Sequence, residues 1–232
     1  MRLRFRSDSW YLVVLFVFLI GAGSIFLTLP ISQAKPVSFI DALFIATSAV
    51  CVTGLSTVDM GSFSHVGQII ILLLIQLGGL GIISFTSLLL ILPGSRIPFR
   101  RISTIRSFYV DGVEYDPRRI VLTIMATTLI IETIGAGVLS FCFNQAGIPD
   151  FYFYGIFHSV SAFCNAGFSL FPDSLEAYAQ NPGILITIML LIILGGLGFI
   201  VLQDLYRRIT RKSRYLNFHS RVVLGMTLGL IG

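Results

Sequence analysis

The sequence predicts an all-α, polytopic transmembrane protein made of tandem outer helix–pore loop–inner helix repeats. Three observations carry that prediction. The chain is 55% hydrophobic and only 12% charged, with a mean hydropathy of +0.90. That is far from a soluble globular domain, and continuous apolar runs reach the ~20 residues a spanning helix needs. The stretch Ser38 to Thr57 begins as a helix and then breaks into an apolar loop around Gly54. Finally, this stretch occurs twice. Phe44, Ser48, Ala49, Cys51, Gly54 and Ser56 return without a gap as Phe157, Ser161, Ala162, Cys164, Gly167 and Ser169. Leu77-Gly78-Gly79-Leu80-Gly81 returns unchanged as Leu194-Gly195-Gly196-Leu197-Gly198. Two matches in the same order mark a duplicated unit.

Trp10 to Leu29 forms the first apolar span, with Trp10 and Tyr11 as interfacial anchors. A cleaved signal peptide is the competing reading, but the apolar run is longer than a signal core and no small-residue cleavage site precedes Pro30. Pro30 and Pro36 bracket an outside turn. Ser38 with Asp41 three residues on makes a capping box, and the helix it opens runs only to about Val50. That is too short to cross the ~30 Å of hydrocarbon in a bilayer. Backbone of the kind expected at Val52-Thr53-Gly54-Leu55 is tolerated at membrane depth only inside protein or against a watery cavity, so the segment reads as re-entrant. Gly54 supplies φ values that residues with a Cβ resist, and rings of backbone carbonyls can replace an ion's hydration shell.

Asp59 to His65 returns to the outer surface, and Gln68 to Leu92 is the second span. Its Gly78, Gly79 and Gly81 fit close helix packing. Pro93-Gly94 ends it, and a basic connector with Asp111, Glu114 and Asp116 follows. Ile120 to Phe143 is the third span. Glu132 lies near its middle, where a charged side chain costs about 2.5–3.5 kcal/mol on insertion scales, so it is expected to face the bundle, be paired or be protonated, with a structural hydrogen-bonding role favoured over ion binding. Asp150 is expected to cap a second short helix, Phe151 to Phe163, within which His158 reads as a packed residue. Asn165-Ala166-Gly167-Phe168 is the second filter-like loop. Pro182 suits the first turn of the next helix, expected to run to about Tyr206, with Asp204 paired to Arg207 or Arg208 at its end. Val222 to Gly232 is apolar but too short to span.

Charge gives the orientation. The net charge is +5, yet fifteen of the sixteen Lys and Arg residues fall before the first span, between the units or after the second; Lys35 alone falls elsewhere. This is the positive-inside pattern. It puts the N-terminus and both basic segments on the cytoplasmic side of a cytoplasmic membrane and displaces a nucleic-acid reading. Cys51, Cys142 and Cys164 show no metal-ligand spacing, and Cys51 and Cys164 fit small-residue packing at the ends of the short helices. No nucleophile–base pair, metal cluster or phosphate-binding loop points to catalysis.

Taken together, Ala46-Thr47-Ser48-Ala49-Val50-Cys51-Val52-Thr53-Gly54-Leu55, Gln76-Leu77-Gly78-Gly79-Leu80-Gly81 and Phe163-Cys164-Asn165-Ala166-Gly167-Phe168 resemble the Trk/Ktr/HKT superfamily. The first loop looks most like its KtrB-type membrane subunits. The resemblance implies a potassium-channel-like fold, four repeats around one ion path, with the chain holding the first two. It divides the chain into a first repeat at 1–92, a basic cytoplasmic connector at 93–119, a second repeat at 120–206, and a linker with the start of a third at 207–232. It implies potassium as the transported ion, with filter carbonyls from Val52, Thr53, Gly54 and Leu55 and from Asn165, Ala166, Gly167 and Phe168. Relatives with serine at the first filter glycine tend to favour sodium, and Gly54 points to potassium. It further implies homodimerisation of the full subunit, a cytosolic nucleotide-binding regulatory ring as partner, and no cofactor. The expected activity is selective, passive potassium uptake. Its rivals are a sodium-permeable or sodium-coupled transporter, a non-conducting membrane scaffold, and an intramembrane enzyme using Glu132 and His158.

Overall fold

A computed structural model of the protein describes residues 8–81, 117–209 and 216–231. Among them the regular elements are helices, and the one β-type pairing is the isolated antiparallel bridge between Gln33 and Phe63. In chain order the helices are α1 (Asp8–Thr28), α2 (Phe39–Val50), α3 (His65–Gly79), α4 (Pro117–Gln145), α5 (Phe151–Phe163), α6 (Pro182–Gly196), α7 (Phe199–Ile209) and α8 (Phe218–Ile231). The far half of the expected span Gln68–Leu92, Pro93-Gly94 and the basic connector up to residue 116 lie outside the described residues.

Local chemistry sets the helix ends. The Ser38 hydroxyl accepts the Asp41 N–H at 3.1 Å and donates to the Asp41 carboxylate at 2.6 Å, a reciprocal cap that starts α2 as the sequence predicts. Pro182 opens α6, and the Asn181 side chain accepts from the N–H groups of Gly183 and Ile184 at 3.1 and 3.2 Å. Asp150 departs from expectation. It sits at the N-cap of α5 with φ 57° and makes no side-chain cap; its carboxylate faces His65, 3.9 Å away. That geometry joins the start of α5 to the start of α3.

One described stretch, Leu122–Gln145, is long and apolar enough by itself to cross a membrane. At 1.5 Å per residue, the 21 residues of α1 also extend about 30 Å. The expected continuous helix from Pro182 to Tyr206 is absent. Gly198, at φ +78°, breaks it after Gly196, and Val201–Ile209 leaves α6 at 106°. The first copy behaves alike: α3 stops at Gly79 and Gly81 has φ +71°. A left-handed residue just past the last turn is a common helix stop.

Two apolar clusters hold the fold. One gathers Leu27, Ile45, Phe63, Ile71 and Ile75 of the first copy and reaches Phe157, Ala166 and Phe168 of the second. The other gathers Leu139, Phe143, Phe163, Ile184 and Leu191. Outside them, large apolar side chains stay exposed along whole helix faces: Val17, Phe18 and Ile25 on α1, Leu129, Ile130 and Ile134 on α4. Asp204 is buried and accepts from the Asn217 N–H, the Asn217 side-chain amide and the Ser220 hydroxyl at 3.2, 3.0 and 2.5 Å. These bonds tie α7 to the first turn of α8.

Candidate functional site

Both short helices end in the same way. After α2, the Val52 N–H donates to the Ala49 carbonyl at 3.2 Å and the Thr53 N–H to the Ser48 carbonyl at 2.9 Å. After α5, Asn165 donates to Ala162 at 3.0 Å and Ala166 to Ser161 at 2.7 Å. This pair of bonds defines a Schellman motif, whose turn residue is left-handed. Val52 and Asn165 accordingly have φ of 57° and 56°. Asparagine tolerates that region, but a β-branched valine there is an outlier, costing on the order of 1–3 kcal/mol. Two residues on, Gly54 and Gly167 are left-handed again, at 71° and 72°, while Thr53 and Ala166 are not. An extended strand points successive carbonyls to opposite sides. Alternating the sign of φ turns them to one side, and such a backbone can present consecutive oxygens to a cation.

The two loops meet at their glycines. A Cβ built on Gly54 would collide with the Ala166 carbonyl oxygen and stand 3.0 Å from Gly167 Cα, and one built on Gly167 would stand 3.5 Å from Gly54 Cα. Of the residues named from the sequence, Gly54, Ala166 and Gly167 are therefore brought into contact. Leu55 is exposed, Ala166 and Phe168 are buried in the core, and the Asn165 amide lies back against Gly195 of α6. The exposed Gly167 and Asn165 line an open groove of about 260 Å³ with His158, Ser161 and Ser169.

Buried polar side chains brace the loops from behind. Ser48 receives the Thr53 hydroxyl at 2.9 Å, and Ser161 donates to the Phe168 carbonyl at 2.7 Å. His158 bridges the Tyr154 carbonyl (2.8 Å) and the Ser169 hydroxyl (3.0 Å). A carbonyl only accepts, so Nδ1 carries the proton and Nε2 receives Ser169. Phe143 and Phe171 enclose the ring at 5.5 and 5.1 Å. His158 is thus packed, as expected, and also holds the exit of the second loop. The recurrence of Ser169 from Ser56 was the one hint of that bond in the sequence. Ser161→Ala leaves the Phe168 carbonyl without its hydroxyl and is expected to destabilise the protein by about 1–3 kcal/mol. Thermal unfolding of the detergent-purified protein measures this, and an unchanged Tm would show the brace to be idle.

The repeated glycines place the inner helices against these turns. A Cβ on Gly78 would strike the Val50 carbonyl, and one on Gly195 the Phe163 carbonyl, the corresponding residues of the two copies. Gly79 packs across the copies, against the Cys164 side chain.

Residues 1–228 match the TrkH family, described as cation transport proteins. The chain is 37% identical over 204 residues to "Ktr system potassium uptake protein B" of Vibrio alginolyticus, covering 87% of this chain and 45% of that protein. It is 38% identical over 221 residues to the protein of the same name from Bacillus subtilis, covering 94% of this chain and 49% of that one. "Potassium/sodium uptake protein NtpJ" of Enterococcus hirae is 38% identical, with 94% and 49% covered. The chain spans about half the length of the curated relatives it matches. A helical chain with twinned loops, matched from end to end by a family of membrane transporters rather than enzymes, belongs to the TrkH family of cation transport proteins.

Proposed function

We propose that this chain forms two of the four walls of a potassium uptake path across the cytoplasmic membrane, with its N-terminus in the cytoplasm. The observation that carries the reading is the approach of Gly54 to Ala166 and Gly167 in two loops with the same alternation of left-handed residues. Each half-helix with its loop is a re-entrant segment. The exposed apolar faces of α1 and α4 meet lipid, and the division into repeats at 1–92 and 120–206 joined by a basic connector follows. Carbonyls of Val52, Thr53, Gly54 and Leu55 and of Asn165, Ala166, Gly167 and Phe168 coordinate the ion, Phe168 sharing its oxygen with Ser161. Potassium moves passively down its gradient. The two remaining walls come from further sequence of the natural polypeptide or from a second copy of this chain. A cytosolic nucleotide-binding ring gates the path, and the full subunit pairs as a homodimer.

Similarity to a protein named for potassium and sodium uptake favours a second reading, a path in which potassium uptake is coupled to sodium. Growth of a potassium-uptake-deficient bacterium at limiting potassium separates the two. The natural polypeptide carrying this chain is expected to restore growth without added sodium. Rescue that requires sodium would favour the second reading, and no rescue by correctly inserted protein would reject both.

A further inference from the structure

Glu132 is a buried acid outside both loops, at 5% exposure in the middle of α4. Three residues from two elements, α3 and α5, meet it. Its Oε1 accepts from the Cys164 thiol at a sulfur–oxygen distance of 3.8 Å, its backbone carbonyl accepts the Ser159 hydroxyl of α5 at 2.8 Å, and its carboxyl faces the Gln76 side chain of α3. Cys164 is the C-cap of α5, so the next residue is the left-handed Asn165 that begins the second loop. Gly79 of α3 packs against Cys164, where any Cβ would strike the sulfur. Glu132 therefore fastens the inner helix of one copy and the loop of the other through one side chain. Carboxylate oxygens can both accept at once, and Gln76 can turn its amide to match either an acid or an amide partner.

We propose that Glu132 is a positioning residue for the second filter strand. By holding Cys164 and Gln76 together it fixes the Asn165–Phe168 loop relative to Gly54, and so sets the discrimination between potassium and sodium. This rests on the potassium-path reading above, and it assigns Glu132 neither an ion-binding nor a catalytic role.

The test uses the natural polypeptide in proteoliposomes, with tracer potassium uptake, competition by sodium, and the quantity of inserted protein measured in parallel. Glu132→Ala and Gln76→Ala are expected to insert normally and to lower potassium-over-sodium discrimination about tenfold, the size expected when a buried hydrogen-bonding group loses its partner. Glu132→Gln is expected to keep the discrimination of the unsubstituted protein, because an amide oxygen still accepts from the Cys164 thiol. A merely structural role would change protein quantity without changing ion preference. If Glu132→Ala does not accumulate, the half-buried Gln76→Ala decides by the same readout. Discrimination unchanged in the inserted variants overturns the proposal while leaving the potassium path intact. No preference for potassium in the unsubstituted protein would instead overturn the path, and this inference with it.

Discussion

Gly54→Ala is expected to abolish most of the preference for potassium. The substitution meets two obstacles at one atom. Its φ of +71° costs an L-residue about 1–2 kcal/mol, and the added methyl collides with the Ala166 carbonyl oxygen while standing 3.0 Å from Gly167 Cα. Both neighbours are backbone, so no side chain can rotate away, and relief requires the two loops to separate. Since ~1.4 kcal/mol is a factor of ten, a loss of tenfold or more in potassium-over-sodium discrimination is expected. Gly54→Ser, which adds a hydroxyl at the same place, is expected to do the same. Competitive ion uptake measures the effect. Wild-type discrimination in an inserted Gly54→Ala protein would mean that the contact between the loops does not govern selectivity.

The largest effect on stability is expected at the two glycines that seat the inner helices. A methyl on Gly195 would overlap the Phe163 carbonyl oxygen and stand 2.8 Å from its carbon; on Gly78 it would meet the Val50 carbonyl in the same way. Forcing atoms into packed interiors costs about 1–3 kcal/mol for a methylene that neighbours can partly accommodate, and here the neighbours are helix-end backbone. Gly78→Ala and Gly195→Ala are each expected to lower the Tm and the quantity of inserted protein, and the double substitution is expected to prevent accumulation. Gly137→Ala on α4, whose added Cβ has nothing within 4 Å, is expected to be neutral or to gain about 0.5–1 kcal/mol from reduced backbone entropy. Equal behaviour of Gly137 and Gly195 in thermal unfolding would remove the packing argument.

Much of this arrangement is legible in the residues. The duplication identifies both loops, the Ser38–Asp41 pair fixes where α2 starts, and recurrence of Leu-Gly-Gly-Leu-Gly marks close packing. Other features depend on relations that a linear pattern does not carry. Nothing in a valine signals positive φ; Val52 is held there by the two hydrogen bonds that close the turn against Ala49 and Ser48. Gly198 lies in an apolar run that reads as one helix, and its left-handed φ ends that helix. Asp150 precedes a helix as a cap would, yet its left-handed backbone and its approach to His65 across the fold direct the carboxylate elsewhere. The cost of a charge at that depth turns Glu132 toward the bundle, but the residues it meets there, Gln76 and Cys164, are 56 and 32 positions away. Periodicity reports which face is buried and leaves open what it is buried against.

The central claim is that the two loops belong to a filter that strips and recognises potassium. It is tested most directly by tracer potassium uptake into proteoliposomes holding the natural polypeptide, with rubidium, sodium and lithium as competitors. The account predicts strong competition by rubidium, which is close to potassium in size, weak competition by sodium and lithium, and loss of that difference in Gly54→Ser. Sodium competing as well as rubidium in the unsubstituted protein, or Gly54→Ser leaving the order unchanged, would contradict it.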